Sequence, residues 1–156
     1  YFAHQEEVDL CWRAQNEGYD VKYNGNSCVY HIGGATLQET NPQKTFLNFR
    51  NSLLNVIKNV PKQWFLLVVF SRLLLDGIAG MLFLLKGSPL HTMAVLKAHR
   101  DYYRKLPLML QKRKKIKRLH FPKQDLVGMY EGSILWARYF KGILKYSDLN
   151  FRLFKR

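Results

Sequence analysis

Residues 64–85 read WFLLVVFSRLLLDGIAGMLFLL. Fourteen of these 22 residues are Leu, Ile, Val or Phe, and only Arg72 and Asp76 carry charge. The run is long enough to cross a hydrocarbon core of about 30 Å. On the membrane-insertion scale the fourteen apolar side chains contribute about −4 to −8 kcal/mol, while Arg72 and Asp76 near the centre cost about +5 to +7 kcal/mol together. The two nearly cancel. Because the charged residues are four apart they can pair on one helical face, in the less favourable order with the base first. The segment is compatible with spanning a bilayer, re-entering it or lying in its interface.

Downstream, Gly87-Ser88-Pro89 opens a further helix that runs to about Lys105. Val95, Leu96, Tyr102, Tyr103 and Leu106 fall on one side and Lys97, Arg100 and Arg104 on the other, the pattern of a helix lying in a membrane interface. Pro107 is expected to restart the chain into 108–118, which ends with six basic residues of seven from Lys112 to Arg118. Each such residue near an anionic leaflet contributes about 1 kcal/mol to binding. Residues 133–146, aromatic and basic, predict another surface helix.

Upstream, residues 5–18 predict a helix with Gly18 as its stop. Residues 20–23 and 27–31 predict short strands separated by the Asn24-Gly25-Asn26 turn. Gly33-Gly34 opens a loop to Pro42. From 43 to 59, Phe46, Phe49, Leu53, Val56 and Ile57, with Val60 beyond, recur at helical spacing and predict a second amphipathic helix before Pro61. The expected fold is therefore mainly α with two short β-strands.

The charge of +14 is unevenly spread. Residues 1–61 carry five basic and six acidic side chains, and residues 62–156 carry twenty and five. One chain thus faces two environments, which divides it into a region 1–61 and a basic, apolar, helical region 62–156. An anionic membrane surface accounts for basic charge beside a long apolar run better than nucleic acid does, and no nucleic-acid reading module is present. Cys11 and Cys28 have no metal-ligand spacing and form no disulfide framework. They read as small buried hydrophobes.

The chemistry-bearing residues lie in the first region. Glu6, Glu7 and Asp9 crowd the first turn of the first helix, where the helix dipole favours negative charge. By itself the cluster is compatible with a charge decoration of that turn or with a catalytic carboxylate. His31, before Gly33 and Gly34, is compatible with a structural or a ligand role.

The run Tyr1-Phe2-Ala3-His4-Gln5, Glu6-Glu7-Val8-Asp9-Leu10-Cys11-Trp12-Arg13, Gly18-Tyr19 and Tyr30-His31-Ile32-Gly33-Gly34-Ala35-Thr36 resembles the second part of the catalytic domain of family 2 glycosyltransferases. An aromatic pair, an acidic pair followed by Asp-Leu and Arg, a Gly-Tyr and a His-x-Gly-Gly element recur there in this order. The stretch from Lys44 to Asn51 also looks like the helix that follows in many bacterial members. The resemblance covers residues 1–61 and reaches the basic tail only in character.

The resemblance implies a C-terminal fragment of an inverting α/β GT-A domain, followed by membrane-associated helices. It implies a bacterial hexosyltransferase acting at the cytoplasmic face of the inner membrane in cell-envelope polysaccharide biosynthesis. The substrates would be a nucleotide sugar and a lipid-linked or polysaccharide acceptor. Glu7 takes the position of the general base, where the family commonly has Asp. Glu6, Asp9 and Arg13 would support the acceptor side, and His31 would contact a divalent metal (Mg or Mn) or the diphosphate, with Gly33 and Gly34 admitting the ligand to the backbone. The family's Asp-x-Asp metal motif is absent from this sequence. An upstream nucleotide-binding half is accordingly expected before Tyr1, and the fragment alone is expected to be inactive. A non-catalytic membrane anchor is the alternative reading.

Overall fold

The computed structural model describes residues 4–30, 38, 40–118, 130 and 132–154. Five helices organise them: α1 (Glu6–Asn16), α2 (Pro42–Asn59), α3 (Phe65–Leu85), α4 (Pro89–Arg118) and α5 (Ile134–Tyr139). Short 3-10 turns occupy Lys62–Trp64, Tyr146–Asp148 and Phe151–Leu153.

The expected strands are a correction. Among the described residues there is no strand and no α/β domain, only one isolated bridge between Tyr130 and Phe154, and the fold is all-α. The turn itself forms, with the Ser27 amide donating to the Asn24 carbonyl and the Asn26 amide to the Asn24 side chain. Among the described residues the flanking segments find no partner edge and no face to bury against. Val21, Tyr23, Val29 and Tyr30 are all exposed. Alternation alone does not hold a strand when neither its backbone nor its apolar face finds a neighbour.

The core is built by α2, α3 and α4. In α2 the Asn41 side chain caps the Gln43 amide, and Pro42 sits in the first turn, where a missing N–H is harmless. Its inner face buries Leu47, Leu53, Leu54 and Ile57. Leu53, Leu54 and Ile57 cluster with Tyr102 and Met109 of α4, against Phe65, Val69 and Leu73 of α3. Each fully buried Leu or Ile contributes about 1.5–3 kcal/mol.

Thr45 meets His91, Arg50 meets Asp101 and Ile57 meets Arg113, so α2 and α4 run in the same direction. α3, which connects them in sequence, runs antiparallel to α4 and packs against both. The turn at 86–88 uses Gly87 at φ 71°, a conformation natural to glycine.

Four further expectations change. α4 runs unbroken through Pro107. A proline inside a helix costs about 3 kcal/mol, but Met109 and Arg113 beyond it are buried against the core, and continuing the helix keeps that packing. The stripe assigned to a membrane interface divides: Val95 and Tyr102 pack inward, beside the buried Ala98, whereas Leu96 and Tyr103 are exposed. Burial, followed by the neighbouring Tyr103, pushes the Tyr102 hydroxyl up to about 12, so it stays neutral. Within the basic run, Arg113 is buried, donates to the Ile57 carbonyl at 2.8 Å and lies 4.6 Å from the centre of the Phe65 ring. It satisfies a carbonyl at the end of α2 and is not available to a membrane surface. Cys11 is half-buried and Cys28 exposed, which corrects the reading of both as buried hydrophobes.

Candidate functional site

α1 begins in an unusual way. His4 and Gln5 both adopt left-handed backbone, at φ 66° and 70°, immediately before Glu6. For residues other than glycine such conformations cost about 1–3 kcal/mol each and persist only where the surroundings over-determine them. Here the surroundings do so. The buried Asn51 side chain of α2 donates to the His4 carbonyl at 2.9 Å, and the Asp9 amide donates to the Gln5 carbonyl at 3.0 Å.

One turn later Asp9 is buried, 5% exposed, in a cationic clamp. The Lys58 ammonium lies 2.6 Å from both carboxylate oxygens, Arg13 donates to one at 3.0 Å and Asn59 to the other at 2.8 Å. Asn59 also donates to Asn55. Burial pushes the Asp9 carboxyl up, but the hydrogen bonds from Lys58 and Asn59 and the charges of Lys58 and Arg13 outweigh it and hold the group below its ordinary value. The helix stops at Gly18, φ 78°, with the Gly18 and Tyr19 amides donating back to Gln15 and Ala14.

This bracing leaves Glu6 and Glu7 on the exposed side of the first turn, both open to solvent. Of the residues singled out from sequence, Glu6, Glu7, Asp9 and Arg13 are thus brought together, with divided duties. Asp9 and Arg13 fix the helix, and the two glutamates face outward. His31, Gly33 and Gly34 lie outside the described residues. Among the described residues no group of three His, Cys, Asp or Glu side chains could hold a metal ion.

The anchor extends into a second feature. Arg50, next to Asn51, donates to the Asn51 side chain at 2.9 Å and reaches Asp101 of α4 at 3.4 Å, and Lys105 closes on the same carboxylate at 2.6 Å. The hydrogen bonds of Lys105 and the charges of Lys105 and Arg50 outweigh the upward push of burial and hold Asp101 below its ordinary value. Arg50 and Asp101 line a groove of about 500 Å³ between α2 and α4, with Phe46, Leu90, Met93 and Ala94 as its apolar part and Lys97, Arg100, Arg104 and Lys105 along its α4 side.

Sequence reasoning missed the row Asn51, Asn55 and Asn59, and with it Lys58. The signal was present: three asparagines at i, i+4 spacing inside an otherwise apolar stripe mark a buried polar seam. The groove cations were visible only as the outer face of a surface helix.

α3 completes the picture. Asp76, 2% exposed, pairs with Arg72 at 2.8 Å as its spacing suggests, and also with His99 of α4 at 3.1 Å. Nearby, the Thr92 hydroxyl donates to the Gly80 carbonyl at 2.8 Å. The polar residues of α3 therefore face inward. Leu66, Leu67, Phe70, Leu74, Leu75, Ile78, Met81, Leu82 and Leu85 are left exposed along a helix of 21 residues, about 32 Å long.

No family model matches the chain, and neither a curated protein nor a solved structure matches it.

Proposed function

We propose that this chain is the acceptor-side portion of a membrane-associated family 2 glycosyltransferase, with Glu7 as general base. The observation that carries the reading is the strained lead-in to α1. Two consecutive left-handed residues, held by the buried Asn51, direct an exposed acidic pair out of a helix that Asp9 clamps in place. Strain of this kind concentrates where a side chain must be held in one direction.

In the proposed reaction Glu7 takes the proton of an acceptor hydroxyl as that oxygen bonds to the anomeric carbon of the sugar. The bond from that carbon to the diphosphate oxygen breaks on the opposite face, and the nucleoside diphosphate leaves with the electron pair. The reading requires a nucleotide-binding half with its divalent metal, in the same polypeptide or in a partner. The exposed apolar face of α3 supports attachment to a membrane, and with it an acceptor carried on a lipid. By length and composition, Lys62–Leu85 is also able to cross a bilayer.

The test is transfer from nucleotide sugars to membrane-extracted acceptors by the full-length gene product. Glu7→Gln is expected to lower turnover by about 100- to 10,000-fold, the range for general-base catalysis, while nucleotide-sugar binding persists. Unchanged transfer by this variant removes Glu7 from the role.

A further inference from the structure

The groove between α2 and α4 combines a cluster of cations with an apolar wall. Lys97, Arg100 and Arg104 follow one another at i, i+3 and i, i+4 spacing on one face of α4, and among the described residues none has a carboxylate within ion-pair reach. Like charges at these spacings repel and weaken a helix. Among the described residues lining the groove the one carboxylate, Asp101, is already shared by Arg50 and Lys105. An unmatched excess of cations is therefore gathered in one concavity. Beside it lie Phe46, under the Arg50 guanidinium at 5.0 Å, and the exposed Met93.

A free anion satisfies the cations but leaves the apolar part wet. A hydrocarbon does the reverse. An amphiphile with a phosphate head answers both, since guanidinium groups bind phosphate oxygens through paired, charge-assisted hydrogen bonds. The volume of about 500 Å³ lies in the range of small-molecule sites.

We infer that this groove binds the phosphate head and the first part of the alkyl chain of a phospholipid-type amphiphile. The phosphate lies against Arg100, Arg104 and Lys97, and the chain runs along Phe46 and Met93. The inference goes beyond the transferase reading, because binding is measured without any transfer and stands or falls separately from it.

The experiment titrates the whole 156-residue chain, held in a non-ionic detergent, with octyl phosphate, inorganic phosphate and octanol, read by calorimetry. Octyl phosphate is expected to bind saturably and at least about tenfold more tightly than either other probe, the difference expected when one part of a two-part ligand is missing. R100Q/R104Q is expected to weaken octyl phosphate by about tenfold or more through loss of charge-assisted hydrogen bonds. K114Q/K115Q removes the same charge from outside the groove and is expected to change it by less than about threefold. Circular dichroism checks that both variants keep the helical content of the parent. M93Q separates the parts, weakening octyl phosphate but not inorganic phosphate.

Equal weakening by the two double variants would reduce the effect to general attraction and overturn the site. Equal affinity for octyl phosphate and inorganic phosphate would overturn the amphiphile, as would equal affinity for octanol.

Discussion

α1 and α3 each bury one aspartate against a neighbouring helix, and their outer faces are opposites. α1 uses Asp9 to grip Lys58 and Asn59 and turns Glu6 and Glu7 outward. α3 uses Asp76 to grip Arg72 and His99 and turns leucines, Ile78 and Met81 outward. The inner clamps solve the same problem, because a buried carboxylate is tolerated only when paired and hydrogen-bonded. The outer faces differ in chemistry: α1 exposes Glu6 and Glu7 beside Val8 and Leu10, whereas α3 exposes apolar side chains along its whole length, a face of the kind that marks an interaction surface.

The comparison breaks most sharply at Asp9. Asp9→Ala leaves Lys58 and Arg13 facing each other beside Asn59 and is expected to cost about 3–5 kcal/mol of stability, the usual result of removing one partner of a buried pair. Chemical denaturation followed by circular dichroism measures it. The same clamp sets a pH dependence. The folded Asp9 carboxyl lies below its unfolded value, so the folded state holds fewer protons in this range. Its stabilisation is full above the unfolded value near 3.8 and is lost as pH falls through the folded one. Acid unfolding of Asp9→Asn is expected to show a shallower slope below about pH 4.

The clamp in α3 is expected to be weaker, because Asp76 has two partners, Arg72 and His99, where Asp9 has three. Asp76→Ala is expected to cost about 1–3 kcal/mol. The paired replacement Arg72→Leu with Asp76→Leu is expected to be near neutral within about 1 kcal/mol, since apolar side chains can replace a buried pair. If the clamp served only stability, the double variant would restore what the single one loses.

The outer face of α3 is tested by Ile78→Lys. A charge at an exposed site is expected to shift stability in detergent by no more than about 0.5 kcal/mol. Flotation with lipid vesicles is expected to fall steeply, and the parent chain is expected to keep part of its binding at high salt, because apolar burial is not screened. Equal flotation of parent and variant would show that this face does not enter the lipid.

The smallest effect belongs to Gly80. A Cβ there would meet Val95 and Thr92 at 3.9 and 4.0 Å, ordinary contact distances. Gly80→Ala is therefore expected to stabilise α3 by about 0.5–1 kcal/mol through reduced backbone entropy. Thermal unfolding resolves the sign, and destabilisation would mean that the two helices need the closer approach.

Much of this was legible along the chain. Periodicity located α2, and the long apolar run located α3, each to within a residue or two; the i, i+4 spacing of Arg72 and Asp76 foretold their pair, and Gly18 marked the end of α1. Those features depend on neighbours within one turn. The clustering of three carboxylates at 6–9 was legible as well, but not its partition into one buried clamp and two exposed groups, because Lys58 and Asn59 lie about fifty residues away in sequence.

By itself the sequence determined α1, α2 and α3, the turn at 24–26 and the pairing of Arg72 with Asp76, all consequences of local composition and spacing. Only the tertiary structure decided that residues 20–30 form no strand among the described residues, since a strand exists through its partner. Packing likewise carried α4 through Pro107, because the burial of Met109 and Arg113 outweighs one lost hydrogen bond. It also gathered the α4 cations beside Arg50 into a groove, since a concavity between parallel helices belongs to neither helix alone.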